Sequence, residues 1–264
     1  MFPVLEKQGR GLLLMIAALA LGAAACSGSS GTASPAATGN GATDTPAATG
    51  QASNDGGSGL TGAAANLSNA TSYKFKMTLA GGNFGQTLSL LGAAGATGDG
   101  PFTFSGTFVT NPTKAADIQM TGLHLIEIDG YEYMDMGTGG FGKTQVTDKG
   151  WADSVSPVTM FSSSIVASVA GSYQKVGSEN KNGVDADHYQ ASSAAFAEQA
   201  SILGVTNATW SGDIWIARDG GYPISVAIVA KASDGSVVFE MSFDLSHVND
   251  PANSVTAPTN VIGA

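Results

Sequence analysis

The stretch His124-Leu-Ile-Glu-Ile-Asp-Gly-Tyr-Glu-Tyr-Met134 lies near the middle of the 264-residue chain. On each side of Asp129-Gly130, apolar and polar residues alternate with a period of two, which is typical of strands that bury one face. An Asp-Gly pair between two such runs is a strong signal for a tight hairpin. We therefore predict two antiparallel strands that meet at Asp129-Gly130.

The same alternation recurs on both sides of this hairpin. It is clearest in Tyr73-Lys-Phe-Lys-Met-Thr-Leu79, and Ser233-Asp-Gly235 marks a second hairpin near the C-terminus. The other predicted strands lie around Phe102 to Phe108, Ile118 to Met120, a run from Tyr173, Ala186 to Gln190, Asp213 to Ala217, Ile224 to Ala230 and Val237 to Leu245. Most of the chain is thus predicted to form an antiparallel meander.

Three segments have helical spacing instead. We predict a short helix at Leu60–Ala70 and a longer one at Pro157–Val169, where Pro157 suits a first turn. A third is predicted at Ala194–Leu203, with Ser192 or Ser193 as its N-cap. A large antiparallel sheet with a few helices on one face is an α+β architecture.

The first residues have the features of a bacterial lipoprotein signal peptide. Lys7 and Arg10 precede or flank an uncharged apolar run at residues 11–22, well short of the ~20 residues that a spanning helix needs. Small residues follow, and then Cys26, the only cysteine. This order resembles the lipobox, in which the thiol receives diacylglycerol and the new amine is acylated. We predict a signal peptide at residues 1–25 and lipidation at Cys26.

Residues 26–57 are predicted to form a disordered tether behind the lipidated cysteine. They are almost entirely Ser, Gly, Thr, Ala, Pro, Asn and Asp, and so cannot bury enough surface to offset their ordering entropy. A coil of this length spans about 30 Å. Residues 58–264 are long enough for one domain with its own core. We expect that domain to lie outside the cytoplasm, anchored to a membrane of the cell envelope.

The charge balance excludes some partners. The formal net charge is −10, with 21 acidic against 11 basic residues. Phosphate backbones and anionic headgroups repel such a chain, so we expect no nucleic-acid partner.

One segment matches a phosphate-binding motif. Gly137-Thr-Gly-Gly-Phe-Gly-Lys143-Thr144 fits G-x-x-x-x-G-K-[ST], but that motif works only between a buried strand and a helix. Alternating residues precede it and no amphipathic helix follows, so we interpret it as a glycine-rich surface loop.

No other pattern indicates catalysis, a metal or a cofactor. Asp187 and His188 point to opposite faces if they lie on a strand. Carboxylate pairs such as Glu127/Asp129 and Glu132/Asp135 are interpreted as solvated strand faces. We therefore predict a domain that is not an enzyme.

The apolar residues form two kinds of surface, one on the strands and one on the helices. They either close into a core or leave an apolar pocket between them, and methionine suits such an adaptable surface. The candidate pocket residues are Met77, Phe104, Met120, Met160, Ile165 and Met241.

The order of elements and four short phrases resemble the LppX/LprG family of bacterial lipoproteins, which is akin to the LolA/LolB carriers. The most specific phrase is a tryptophan strand that ends in a polar turn and a proline, here Asp213-Ile-Trp-Ile-Ala-Arg-Asp219 followed by Gly-Gly-Tyr-Pro223. The others are Ser72-Tyr-Lys-Phe-Lys-Met77, Gly130-Tyr-Glu-Tyr-Met-Asp135 ahead of Trp151, and Gly183-Val-Asp-Ala-Asp-His-Tyr189.

The resemblance implies a curved antiparallel sheet, a half-barrel, with helices over its concave face. It also implies that the space between them holds acyl chains of lipids or lipoproteins for transport or presentation. The alternative is a noncatalytic envelope module with a closed core, which senses or binds another envelope protein.

Overall fold

The computed structural model describes residues 62–63, 65–82, 101–147, 150–158 and 170–262. The predicted signal peptide, the tether, Cys26, Met160 and Ile165 lie outside these ranges. Within them, no helix has the length and apolar character needed to cross a membrane.

One sheet of twelve strands organises the described residues. The strands are β1 Ser72–Gly81, β2 Phe102–Val109, β3 Ala115–Met120, β4 Leu123–Ile128, β5 Tyr131–Asp135, β6 Phe141–Gln145, β7 Gln174–Lys181, β8 Val184–Ala191, β9 Thr209–Ala217, β10 Pro223–Lys231, β11 Val237–Ser246 and β12 Val261–Ile262. Their order is β12-β6-β5-β4-β3-β2-β1-β11-β10-β9-β8-β7. The predicted fold class, an α+β half-barrel built on a large, open and curved antiparallel sheet, is confirmed.

Two meanders build the sheet, and they join at its centre. Strands β1 to β6 follow one another, as do β7 to β11, and β1 then pairs with β11, with Phe75 opposite Leu245. The pair β12–β6 is parallel, unlike the rest.

Both predicted hairpins form. Asp129 and Gly130 have φ angles of 53° and 77°, the left-handed conformation that a tight two-residue turn requires at both positions. At the other hairpin, the Asp234 carboxylate accepts hydrogen bonds from the backbone and side chain of Ser236. A third hairpin turn, at Asn182-Gly183, resembles the one at Asp129-Gly130, because both of its residues have positive φ angles, 54° and 84°.

The sheet has an apolar inner face and a largely polar outer face. The inner face is the one that carries Tyr73, Phe75, Met77 and Leu79, all buried, whereas Lys74 and Lys76 on the outer face are exposed. Aromatic side chains fill the centre of the inner face: Phe75 packs against Phe104, Phe108 and Phe243.

Short helical segments cover the inner face. Residues 65–68 are helical, and Leu67 is buried in the core. The helix Trp151–Val155 has no counterpart among the predicted helices. Of the helix predicted at Pro157–Val169, residues 157–158 are helical and the rest lie outside the described ranges.

The helix predicted at Ala194–Leu203 is a 3-10 turn, Ser193–Phe196, followed by the α-helix Ala197–Ile202. Ser192 stands at the N-cap, but its side chain makes no capping hydrogen bond. Ser193 Oγ instead accepts a hydrogen bond from Trp210 N, so this serine ties the turn to β9. Ser192 thus occupies the predicted N-cap position without the capping hydrogen bond.

The C-terminal segment returns across the outer face. Val255 and Val261 pack on a small apolar cluster formed by Ile126, Tyr133 and Phe141. Asn260 holds the segment in place, because its carbonyl accepts from Phe141 N and its side-chain amide donates to Gly139 O.

Candidate functional site

The candidate pocket residues that the structure describes all lie on the inner face. Met77, Phe104 and Met120 occupy one row across β1, β2 and β3, since each is the register partner of the next. Met241 on β11 lies opposite Leu79, two residues along β1 from Met77. The strand alternation therefore brings these four residues onto one surface.

Their burial divides them into two pairs. Met77 and Phe104 are core residues, 9% and 4% exposed. Met120 and Met241 are half-buried and pack against that core, as do Phe102 and Leu123, which the sequence interpretation did not single out. The sequence pattern does place Phe102 on this face, because it lies two residues before Phe104 on the same strand.

The half-buried residues gather at one end of the sheet. Phe102 begins β2, Met120 ends β3 and Leu123 begins β4. Met136, which directly follows β5, is 50% exposed at the same end. Among the described residues this is the less covered end of the inner face, and we call it the open end. Beside it, a shallow groove of about 280 Å³ is lined by Gln119, Met120, Gly122, Leu123, His124, Asp135 and Gly137.

The other end of the inner face is closed by carboxylates. Glu127 and Glu132 are register partners on β4 and β5. Glu132 Oε1 accepts from Trp151 N at 3.0 Å and Glu127 Oε2 accepts from Ala152 N at 3.2 Å, so the two side chains bind the first turn of the helix Trp151–Val155. Glu127 is 7% exposed, which corrects its interpretation as a solvated strand residue.

The phosphate-motif segment is a β-hairpin. Gly137 lies in the turn, but Phe141–Gln145 forms strand β6, so the prediction of a surface loop is wrong for that half. The Asp135 carboxylate accepts from Thr138 N at 2.8 Å and Gly139 N at 3.2 Å, and thus occupies amides that an anion would need. Slight desolvation acts to raise the pKa of Asp135, but these hydrogen bonds outweigh it and lower the pKa.

Lys143, the motif lysine, also lies away from any such site. Its ammonium is 3.8 Å from the ring centroid of Tyr131 on the outer face. Strand–turn–strand geometry lacks the helix N-terminus that phosphate binding uses.

The Asp213–Asp219 phrase places its tryptophan on the outer face. Trp215 stacks on His188 with ring centroids 4.5 Å apart, and its Nε1 donates to Glu179 Oε1. His188 Nε2 lies 2.8 Å from Asp213 Oδ1. Asp187 instead pairs with Lys175 on the inner side, which agrees with the prediction that residues 187 and 188 point apart. Among the described residues, no three His, Cys, Asp or Glu side chains are placed to hold a metal ion.

Comparisons with known proteins were made at the level of sequence and of structure. No family model matches the chain. No curated protein matches it either.

Solved structures do match. LprF from Mycobacterium bovis is 12% identical with a TM-score of 0.44, over 80% of this chain and 100% of that one. The lipoprotein LppX of Mycobacterium tuberculosis is 13% identical with a TM-score of 0.43, over 75% and 96%. The MucA/MucB complex of Pseudomonas aeruginosa is 11% identical with a TM-score of 0.35, over 73% and 56%. The predicted resemblance is confirmed in that LprF and LppX are among the solved structures to which this chain is similar.

Proposed function

We propose that this domain binds the acyl chains of lipids or acylated proteins against the open end of its inner face, for transport or presentation in the cell envelope. The observation that carries the proposal is the group of half-buried residues Phe102, Met120, Leu123 and Met241, which continues the apolar core outward. The binding is noncatalytic, and the ligand is held by burial.

The energetics favour a hydrocarbon ligand at this place. Each methylene removed from water contributes about 0.8 kcal/mol, so a chain that buries only part of its length gains several kcal/mol. Methionine side chains adapt to such a ligand because they are unbranched and polarizable. Met120 and Met241 stand on either side of the β1–β2 pair, where a bound chain would cross the sheet.

The N-terminal features fit the same role. Lipid on Cys26 would hold the domain on a membrane, and the tether of residues 26–57 would let the open end reach ligands about 30 Å from the anchor. Two or more acyl chains give stable anchoring, whereas one gives only marginal binding.

The test is lipid carriage by the chain from residue 27 onwards. We expect lipid, identified by mass spectrometry, after organic extraction of the purified protein. Met120→Glu should reduce this lipid at least several-fold, because a carboxylate at the open end must lose its hydration to contact an acyl chain. Gln145→Glu is the control: it adds a carboxylate on an exposed outer-face residue of β6, outside the groove.

Two results would contradict the proposal. One is a wild-type chain that never carries lipid, and the other is equal lipid loading by both variants. Either would favour the alternative, a closed-core module that binds another envelope protein.

A further inference from the structure

The inner core holds polar atoms that have no partner. Within the described ranges, Trp151 Nε1, Tyr173 Oη and Trp210 Nε1 are inaccessible to solvent and make no hydrogen bond. Trp215 provides the contrast, because its Nε1 on the outer face donates to Glu179. Buried polar groups in native proteins are paired in the great majority, so unpaired ones need an explanation.

Two of these side chains, Tyr173 and Trp210, adjoin the same residue, Phe196. A Cβ at position 212 would collide with both Tyr173 Oη and Phe196 Cζ, so Gly212 on β9 is where these two side chains meet the sheet. Phe196 in turn stacks on Trp210, with ring centroids 5.8 Å apart. Tyr173 Oη and the Trp210 ring therefore both lie next to Phe196, and the two residues are 2% and 4% exposed.

Both groups are hydrogen-bond donors. An indole N–H can only donate, and a phenol donates while it stays protonated. Burial, with a further contribution from the Asp213 charge, raises the pKa of Tyr173, so the hydroxyl is neutral at physiological pH. The complementary ligand group is an acceptor. It is also uncharged, because an apolar interior beside a carboxylate penalises an anion.

We propose that Tyr173 Oη and Trp210 Nε1 form a hydrogen-bonding subsite for a neutral carbonyl of an acylated ligand, an ester or an amide. The inference rests on the proposed function. It adds that the site distinguishes a ligand with a carbonyl group from a plain hydrocarbon, which a purely apolar surface does not do. Phe196 is fully buried at this place, so binding of the carbonyl requires its ring to move. The ring is carried by a 3-10 turn of four residues, Ser193–Phe196. That turn is fastened to β9 through Ser193 Oγ, 3.0 Å from Trp210 N.

The experiment compares two probes that differ in one carbonyl group. Hexadecane and methyl palmitate compete with a fluorescent apolar dye, 1-aminoanthracene, for the chain from residue 27 onwards, which contains every strand of the sheet. We expect Tyr173→Phe and Trp210→Phe each to weaken methyl palmitate about two- to tenfold, the range of a single hydrogen bond, and to leave hexadecane unchanged. Trp215→Phe, the control, removes an indole N–H that already has a protein partner and should shift neither probe.

A second readout concerns stability without ligand. Tyr173→Phe removes a hydroxyl that makes no bond, so the melting temperature should stay the same or rise. A marked fall would show that the hydroxyl is bonded within the protein and would overturn the subsite. Equal effects of Tyr173→Phe and Trp210→Phe on both probes would also overturn it, while leaving acyl binding intact. A wild-type chain that binds neither probe would overturn the proposed function and the subsite together.

Discussion

Glu127 shows how one residue can organise the space above a sheet. Its carboxylate lies on a largely apolar face and is compensated from two directions, by the amide of Ala152 and by Lys114 Nζ at 3.4 Å. Lys114 also forms an ion pair with Asp153, which lies beside Ala152 in the helix Trp151–Val155. A buried carboxylate of this kind stabilises the fold only while its partners are present.

We therefore expect Glu127→Ala to lower the free energy of unfolding by about 2 to 3 kcal/mol, since hydrogen bonds to charged groups are among the stronger ones. Chemical denaturation measures the change. Glu240→Ala is the control: this residue is exposed on the outer face of β11 and should change stability by less than about 0.5 kcal/mol. Equal losses of stability in the two variants would show that the hydrogen bond between Glu127 and the helix Trp151–Val155 contributes nothing measurable.

A second prediction at this scale concerns acid. Desolvation acts to raise the pKa of Asp187, but Lys175, Ser178 and Arg218 outweigh it and lower the pKa below its ordinary value of 3.8. A carboxyl with a lowered folded-state pKa contributes stability above its unfolded pKa and loses it as the pH falls through the folded one. Asp187→Asn should thus cost less than about 1 kcal/mol at neutral pH, because the pair is close to solvent.

That cost should vanish as the pH falls below the ordinary carboxyl range, where wild type and variant carry the same charge at this position. Denaturation curves from pH 7 downwards provide the measurement. A difference that persists undiminished into acid would show that Asp187 acts by packing and not by charge.

Among the elements, β6 and the C-terminal segment depend on each other. β6 has one buried residue, Phe141, and four exposed ones, so little of its stability comes from its own side chains. The segment that ends in β12 covers Phe141 together with Ile126 and Tyr133, and pairs with the outer edge of β6. This arrangement shields an edge strand whose free backbone groups could pair with another chain.

Ending the chain after Asn253 should accordingly uncover that cluster. We expect a loss of about 1 to 3 kcal/mol, from the apolar surface returned to water, and concentration-dependent self-association. Denaturation and analytical ultracentrifugation measure the two effects. Ending the chain after Ile262 keeps every described contact of the segment and is the control. A truncated chain that stays monomeric and fully stable would show that the segment is dispensable.

At the scale of the whole molecule, the two ends of the inner face differ in how the described residues cover them. One end is closed by Glu127, Glu132 and the helix Trp151–Val155, and the other leaves large apolar side chains half-buried. Under the proposed function, a ligand that enters at the open end would extend toward the helix Trp151–Val155.

The anchor belongs to this scale as well. If Cys26 carries the lipid, Cys26→Ser should move the chain from the membrane to the soluble fraction or leave an uncleaved precursor. Fractionation and intact-mass measurement distinguish these from wild type. A correctly cleaved serine variant that stays on the membrane would argue against thioether lipidation.

Much of the fold could be predicted from local pattern. Every strand except β6 and β12 was predicted, most of them from alternation, because a strand with one buried face repeats every second residue wherever it lies. β7 is the exception to that reason, since its residues are almost all exposed. The turn at Asp129-Gly130 followed from its own residues. For the same reason Met77, Phe104, Met120 and Met241 could be assigned to one face, although their role there remains a proposal.

The features that only the tertiary structure decided are contacts between residues far apart in the chain. β1 meets β11, with Lys74 opposite Ser246, and no local period contains that pairing. β6 is a strand because β5 and the C-terminal segment support it, although Gly142 and Lys143 resemble a loop. Glu127 is buried because residues 150–152 return to its carboxylate, and Tyr173 meets Gly212 on β9 only once the second meander, β7 to β11, is assembled. Alternation selects a face, whereas burial on that face is a property of whatever packs against it.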